Sequence, residues 1–225
     1  MRRGVRMAYI VENNGVYGLT KGQFSATADR GSKSKKGVVN SDSPVDLVGL
    51  ALQLGATFVA RSFSGDKAQL VPLIKGAMSH GGAAFIDVIS PCVTFNNHGG
   101  STKSYDYVRQ HNEAVSRIDF ITPGQEITAS YAPGAVIAVT NHDGSILRLR
   151  KLASDYDPTD RLGAMDRMQR EAAHGELLTG LLYIDPLATD LHTALNTAAA
   201  PLNTLASDTL CPGSATLAKI NAALR

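Results

Sequence analysis

The sequence predicts an α/β fold in which helices flank a parallel sheet, followed by a small α+β extension at the C-terminal end. Three apolar runs, at residues 5–12, 57–62 and 83–89, have the length and composition of strands. Two segments with helical signals separate them, and Gly55 stands where the first helix would end. This βαβαβ order favours a parallel sheet with right-handed crossovers.

The first strand and the first helix carry the most specific expectations. Residues 5–12 have a continuous apolar middle, which is typical of a strand covered on both faces. Residues 24–42 are rich in Ser, Lys, Gly and Thr, so we expect a loop. Ser43 is the expected N-cap of the helix that follows, and Pro44 suits its first turn. The spacing predicts a buried face formed by Leu47, Leu50, Ala51 and Leu54.

The second helix is predicted over residues 67–79. Pro72 lies inside it, which indicates either a later start near Leu70 or a kink. After the strand at residues 83–89, a polar stretch at 96–101 precedes a further helix predicted over 105–117.

The C-terminal part reads as hairpin, helix and strand. Residues 136–140 and 145–150 flank four connecting residues, which indicates a β-hairpin. An amphipathic helix is expected to start at Asp157 and Pro158 and to end at Gly175, with a strand at residues 178–184. The tail beyond Asp185 is rich in Ala, Thr, Leu and Pro, so we expect an irregular arm or a subunit contact. We place the boundary between the two domains, 1–122 and 123–225, before this hairpin.

Composition narrows the class of protein. The 225 residues are 44% hydrophobic, which is enough for one ordinary core, and the net charge of +2 gives no reason to expect a nucleic-acid partner. The apolar run near the N-terminus is too short to span a membrane, so no membrane partner is expected. Two cysteines, Cys92 and Cys211, cannot form a disulfide framework, which fits a cytoplasmic location.

The candidate site begins where the first strand ends. Residues 13–23 read Asn-Asn-Gly-Val-Tyr-Gly-Leu-Thr-Lys-Gly-Gln. By itself, Asn-Gly after an apolar run indicates a strand that ends in a turn. Asparagine also offers a neutral side-chain oxygen, and a tight glycine turn can direct a backbone carbonyl at the same ion. Oxygen ligands of this kind suit Mg²⁺ bound through a diphosphate.

Three segments together resemble the β subunit of 2-oxoacid:ferredoxin oxidoreductases of the 2-oxoglutarate or pyruvate type. They are residues 13–23, residues 55–61 (Gly-Ala-Thr-Phe-Val-Ala-Arg) and residues 84–96 with Ser-Pro-Cys, which continue into 101–105. They follow the family's order and spacing. The resemblance implies that residues 1–122 are the C-terminal part of a thiamine-diphosphate-binding domain. It does not cover the family's N-terminal half, with its Gly-Asp-Gly and Cys-x-x-Cys motifs, so we expect the chain to begin inside the family's sequence.

The resemblance also implies roles for the residues of the first segment. Asn14 would bind Mg²⁺ through its side-chain oxygen and Val16 through its main-chain oxygen. Thiamine diphosphate would contact Asn13, Asn14, Gly15, Val16 and Tyr17. Leu19, Thr20 and Lys21 would belong to the loop that covers the thiazolium ring and the 2-oxoacid. Leu19 would face the substrate, and Lys21 would offer a charge to its carboxylate. On a loop, a solvated lysine is the ordinary alternative for Lys21.

Cys92 matches a ligand of the family's [4Fe-4S] cluster. Without the resemblance, a lone cysteine after a buried strand is a small hydrophobe. Such a cluster is held by four thiolates, and this chain has two cysteines, so it cannot complete a cluster by itself. Cys211 matches no ligand position, and we interpret it as structural or incidental.

Three functional hypotheses follow. The first is a truncated β subunit of an enzyme that oxidatively decarboxylates a 2-oxoacid to acyl-CoA and CO₂. Its partners would be an α subunit, coenzyme A and ferredoxin. The second is a non-catalytic binding or assembly module derived from that subunit, and the third is a phosphate-binding α/β domain of another family. A coding stretch upstream with Gly-Asp-Gly and Cys-x-x-Cys would favour the first over the second.

Overall fold

The computed structural model describes residues 1–17, 23–31, 37–90, 127–141, 146–211 and 213–224. The predicted polar stretch at 96–101 and the predicted helix at 105–117 lie outside the described residues. The first five elements are β1 (Met7–Asn13), α1 (Leu47–Gln53), β2 (Phe58–Phe63), α2 (Lys67–Ser79) and β3 (Ala83–Ile89). The next four are β4 (Val136–Thr140), β5 (Ile146–Lys151), α3 (Arg161–Ala173) and β6 (Leu177–Ile184). Three short helices end the chain: α4 (Leu191–Ala194), α5 (Ser207–Leu210) and α6 (Gly213–Ala223).

The described strands form one sheet in the order β1-β3-β2-β6-β5-β4. The first three are mutually parallel, which confirms the predicted βαβαβ unit. β6 runs antiparallel to β2 and parallel to β5, and β4 and β5 form the predicted antiparallel hairpin. The sheet is therefore mixed, and β6 joins the hairpin to the parallel unit.

The position of the domain boundary at residue 122 lies outside the described residues and stays a prediction. The described chain divides into two compact units, Met1–Asp190 and Leu191–Arg225. No helix among the described residues is long and apolar enough to cross a bilayer.

The core lies on both faces of the central strands. Phe85 and Ile86, which are neighbours on β3, belong to different clusters because successive side chains of a strand point to opposite faces. Phe85 packs with α1 and α3 residues, whereas Ile86 packs with Leu73 of α2. β2 lies between β3 and β6 and is buried along its whole length.

β1 corrects the expectation of a strand covered on both faces. Tyr9 is 50% exposed and Ile10 41% exposed. The reason is topological, since β1 is the edge strand of the described sheet and has β3 as its neighbour on one side. Tyr9 stacks on Phe85 of β3, with their ring centroids 5.9 Å apart.

α1 starts later than the sequence predicts. Its N-cap is Asp46, whose side chain accepts a hydrogen bond from the backbone N–H of Val48, so Ser43 and Pro44 precede the helix. The buried residues are Val48, Ala51 and Leu52, while Leu50 and Leu54 are about half exposed. The helix is apolar nearly all round, so spacing alone did not determine its buried face. Gly55, with a φ of +83°, follows the helix end as expected.

α2 spans the predicted residues and keeps Pro72 in its interior. A start near Leu70 is not observed, because Asp66 caps the helix by accepting a hydrogen bond from the Gln69 N–H at 3.1 Å. Gly76 allows the helix to approach the sheet closely. A Cβ at that position would lie 3.3 Å from the ring of Phe58.

α3 starts later than the sequence predicts, and the tail contains more helix than expected. Asp160 caps α3, and its side chain accepts from Gly163 N at 2.9 Å, whereas Asp157 closes a turn with Thr159. Gly175, with a φ of +70°, follows the helix end as predicted. The tail is not simply an irregular arm, because α6 is an eleven-residue helix. None of the described residues of α4, α5 and α6 is buried.

Candidate functional site

The carboxyl ends of the three parallel strands lie side by side and form what we call the carboxyl edge of the sheet, which is distinct from the edge strand β1. β1 ends at Asn13, β3 at Ile89 and β2 at Phe63, and the strand register aligns these three residues. In open α/β sheets, ligands bind outside the carboxyl ends of the strands. The turn that follows β1 therefore occupies the position where a ligand site is expected.

The turn after β1 is held by the side chain of Asn14. Its Oδ1 atom accepts a hydrogen bond from the backbone N–H of Val16 at 3.1 Å. Gly15 lies between them with a φ of +66°, a conformation that glycine adopts without strain. This is an Asx-turn, in which a side chain replaces a backbone carbonyl. One lone pair of the Asn14 side-chain oxygen remains for another ligand.

Residues 16 and 24 form an isolated antiparallel bridge, which brings together the two ends of the segment between them. Leu19, Thr20 and Lys21 belong to that segment and lie outside the described residues, so their predicted roles stay predictions. Tyr17 is about half exposed.

Asn13 contacts a residue that sequence reasoning missed. Its Oδ1 atom accepts a hydrogen bond from the hydroxyl of Thr27 at 2.7 Å, and its main-chain oxygen accepts from Ser90 N at 2.9 Å. The Ser25 hydroxyl lies 3.1 Å from the Thr27 hydroxyl. The pair occurs in the stretch 24–42, for which the sequence predicted a loop without singling out these two hydroxyls, although two hydroxyl residues so close behind the motif were a signal.

A group of charges that is buried at Arg61 and Asp87 and half exposed at Asp46 lies near the carboxyl ends of these strands. Arg61 of β2 donates through Nε to Asp87 of β3 at 2.9 Å and through NH2 to Asp46 at 2.8 Å. Asp87 is 1% exposed, and its Oδ1 atom has no hydrogen-bond partner among the described residues. Arg61 and Asp87 lie in two of the segments that carry the family resemblance, but the sequence did not indicate that they pair. The ion pair fixes the start of α1 against the sheet.

A second group of polar side chains connects β5 to the start of α2. Lys151 donates to Asp66 at 2.6 Å, and its ammonium lies 4.3 Å from the centroid of the Tyr131 ring. The Tyr131 hydroxyl is 2.8 Å from that of Thr179. Burial raises the pKa of Tyr131, so this phenol stays protonated at neutral pH. The group holds the extension against the parallel unit.

The donor sets determine which inorganic groups this chain could hold. Within the described ranges, no group of three or more His, Cys, Asp or Glu side chains could hold a metal ion. Asn14 and Val16 offer neutral oxygens, which fit Mg²⁺ when a diphosphate supplies further ligands. An iron-sulfur cluster does not fit this chain alone. Cys92 lies outside the described residues, Cys211 is exposed, and a cubane cluster takes four thiolates.

Comparison with known proteins gives consistent matches. Residues 1–88 match the family described as thiamine pyrophosphate enzyme, C-terminal TPP binding domain. The chain is 48% identical over 99 residues to the 2-oxoacid:ferredoxin oxidoreductase subunit beta of Saccharolobus solfataricus, which is 43% of this chain and 32% of that protein. It is 34% identical over 128 residues to the 2-oxoglutarate oxidoreductase subunit KorB of Mycobacterium tuberculosis, which is 56% of this chain and 33% of that protein.

A solved structure is similar over most of the chain. It is the 2-oxoglutarate:ferredoxin oxidoreductase from Magnetococcus marinus with 2-oxoglutarate, coenzyme A and succinyl-CoA bound, at a TM-score of 0.57 and 26% identity. The similarity covers 90% of this chain and 57% of that one. The matched part is about a third of the length of the two curated relatives. These matches confirm the fold and the resemblance that the sequence predicted.

Proposed function

We propose that this chain, which is related to the β subunits of 2-oxoacid:ferredoxin oxidoreductases, provides the diphosphate-binding turn of a thiamine-diphosphate-dependent enzyme of that kind. The complete enzyme would oxidatively decarboxylate a 2-oxoacid, 2-oxoglutarate or pyruvate, to acyl-CoA and CO₂ and pass electrons to ferredoxin. An α subunit and coenzyme A would be its partners. The low cysteine content supports a cytoplasmic location.

The observation that carries this proposal is the Asx-turn at the carboxyl end of β1. The asparagine pair of the motif lies at this turn, where β1 ends. In α/β proteins, ligands bind outside the carboxyl ends of the strands. The turn is held by its own hydrogen bond, so the Asn14 oxygen has a defined orientation before any ligand binds. A fixed orientation lowers the free-energy cost of binding.

The chain's own residues would act by positioning. Asn14 would offer its remaining lone pair to Mg²⁺, and Val16 its main-chain oxygen, while the phosphates complete the coordination. Thiamine diphosphate, when bound, supplies the stabilisation of the carbanion. Lys21 would place an ammonium near the substrate carboxylate, and Leu19 and Thr20 would shield the reacting centre from water.

The second candidate, an assembly module, is supported by a different observation. β1 is an exposed edge strand with apolar side chains such as Tyr9 and Ile10 on the surface. An edge of this kind is a ready template for pairing with another polypeptide. This reading requires no cofactor.

Isothermal titration of thiamine diphosphate with Mg²⁺ into the purified, folded chain distinguishes the two candidates. We expect saturable binding that requires Mg²⁺ and a diphosphate together, because the turn offers no carboxylate to hold the metal alone. Asn14→Ala should raise Kd by about tenfold or more, since it removes both a ligand and the bond that holds the turn. Gln53→Ala removes an exposed amide at the end of α1 and should leave Kd unchanged.

Equal binding by the wild type and Asn14→Ala would remove Asn14 from the site. No binding by a folded wild-type chain would contradict the cofactor-binding function and favour the assembly module.

A further inference from the structure

We infer that Ser25 and Thr27 are positioning residues that turn the side chain of Asn13 so that its amide NH₂ group donates to a diphosphate. The inference deepens the proposed function and rests on it, in that the anion is taken to be the diphosphate of the cofactor. It concerns the atom that Asn13 presents, which the motif alone does not define.

The direction of the hydrogen bonds follows from counting protons. The Thr27 hydroxyl donates its hydrogen to Asn13 Oδ1 at 2.7 Å. A hydroxyl has a single hydrogen, so in the 3.1 Å contact between Ser25 and Thr27 the Ser25 hydroxyl must be the donor. The Ser25 oxygen in turn accepts from Thr27 N at 3.3 Å. The bonds therefore form a relay that runs from Ser25 through Thr27 to Asn13, and each bond polarises the next.

The relay determines what Asn13 can offer a ligand. The 2.7 Å bond turns the carbonyl oxygen of Asn13 toward Thr27, so its amide nitrogen, with two hydrogens and no partner among the described residues, points away from Thr27. The residue is only partly buried and ends β1 at the carboxyl edge of the sheet. Asn13 therefore presents donors to this edge, and donors bind anions.

The two adjacent asparagines consequently present opposite groups. Asn14 has its oxygen in the turn, with one lone pair left for a cation. Asn13 has its oxygen turned toward Thr27, and its NH₂ group, which bonds no described residue, is available to phosphoryl oxygens. A magnesium diphosphate is a ligand that needs both, an oxygen ligand for the metal and a donor for the phosphate.

Both ends of the relay are held by backbone hydrogen bonds. The main chain of Asn13 accepts from Ser90 N at 2.9 Å, which ties it to the end of β3. Around the hydroxyls, Ala28 N donates to Ser25 O at 3.0 Å and Val45 N to Ala26 O at 2.8 Å. The relay therefore connects two anchored segments, as expected of groups that hold a binding side chain in place.

The test uses variants that separate the donor from the relay. Asn13→Asp keeps an oxygen for Thr27 but replaces the donor with a charged acceptor, so Kd for thiamine diphosphate with Mg²⁺ should rise by about tenfold or more. Thr27→Val keeps the shape and removes the hydroxyl, and we expect a rise of about fivefold. Thr27→Ser retains the hydroxyl and should restore binding to within about twofold.

Two further measurements identify the cause. The same titrations are repeated with inorganic pyrophosphate and Mg²⁺, which lacks the organic part of the cofactor. Relaxation of the ¹⁵N-labelled Asn13 side-chain amide is measured in the ligand-free chain. Its order should fall in Thr27→Val and persist in Thr27→Ser, a difference that a merely structural role for Thr27 would not produce.

The outcomes separate this inference from the proposed function. Thiamine diphosphate binding that is equal in Thr27→Val and the wild type overturns the positioning role and leaves the function standing. Pyrophosphate binding that depends on Thr27, without any thiamine diphosphate binding, supports the inference and contradicts the cofactor. If neither ligand binds the wild-type chain, both are overturned.

Discussion

At the scale of single residues, Arg61 has the most consequential contacts. Its guanidinium pairs with the buried carboxylate of Asp87 on the neighbouring strand and with the cap residue of α1. Two carboxylates thus share one cation, and Asp87 has an oxygen with no other partner among the described residues. A buried ion pair of this kind adds little net stability, but the loss of one partner leaves an uncompensated charge.

We therefore predict that Arg61→Leu lowers the free energy of unfolding by about 3–5 kcal/mol. Urea denaturation followed by circular dichroism measures the loss. The double variant Arg61→Leu/Asp87→Leu should lose much less, because it removes both charges together.

The matched control for this prediction is Arg170→Leu, which breaks an exposed i,i+4 pair with Asp166 on α3. Its cost should be about 0.5 kcal/mol or less. A loss in Arg61→Leu no larger than that of Arg170→Leu would contradict the importance of the buried pair.

The asparagine pair shows what sequence reasoning can and cannot reach at this scale. The resemblance of the motif identified Asn13 and Asn14 as candidates, and their residue types are compatible with a magnesium diphosphate. The atom that each presents depends on Thr27, fourteen residues away along the chain, and on the N–H of Val16. A side-chain amide can rotate either way, so only its tertiary partners determine the orientation.

At the scale of elements, the hairpin and α3 are joined by a network of charges. Arg150 of β5 pairs with Glu176 at 2.6 Å and with Glu171 of α3 at 3.0 Å. Arg148 pairs with the other oxygen of Glu176 at 2.9 Å. The network connects the start of β6 to two neighbouring elements, and none of these pairs was predicted.

The network makes stability depend on pH. The hydrogen bond from Arg150 holds the pKa of Glu176 below its ordinary value of 4.5. A carboxyl with a lowered pKa contributes stability above the unfolded-state pKa, and that contribution is lost as the pH falls through the folded-state pKa. Glu176→Gln should therefore be less stable than the wild type at pH 7, and the difference should narrow below about pH 4.5.

Thermal unfolding at a series of pH values measures this difference. Asp155→Asn, at an exposed carboxylate with no ion pair to the described residues, should leave the pH profile unchanged. Parallel profiles for the wild type and Glu176→Gln would contradict the prediction.

Helix starts illustrate why element boundaries were harder to predict than the elements. Each of α1, α2 and α3 begins after an aspartate whose side chain accepts from a backbone N–H of the first turn. The sequence favoured Ser43 and Asp157 as starts, which precede the observed caps. At Asp46 the pairing with Arg61 of β2 adds a tertiary contact to the cap, so the choice was not local.

At the scale of the whole molecule, the exposed edge of the sheet is the main feature. β1 has hydrogen-bonding groups on the side where no described strand pairs with it, and Tyr9 and Ile10 are exposed. We predict that the purified chain self-associates as its concentration rises, because such an edge pairs readily with another strand. Ile10→Lys should reduce this association by placing a charge on the edge.

Sedimentation velocity over a range of concentrations tests this prediction. Leu162→Lys, at a side chain of α3 that is 77% exposed, adds the same charge away from the edge and should not reduce association. A monomer at all concentrations, or an equal effect of both variants, would contradict a role for β1.

Local sequence patterns were enough to predict the strands β1 to β6, the hairpin, the parallel direction of the first three strands and the glycines that follow α1 and α3. These features are local, because they depend on runs of side chains, turn residues and short connections. Three segments together also predicted the resemblance to the β subunits of 2-oxoacid:ferredoxin oxidoreductases that the comparisons confirm. The position of β1 at the edge of the described sheet, the buried face of α1 and the bond from Thr27 to Asn13 became visible only in the three-dimensional fold. Those features depend on which segments lie side by side, and contacts between residues far apart in the chain leave no periodic pattern in it.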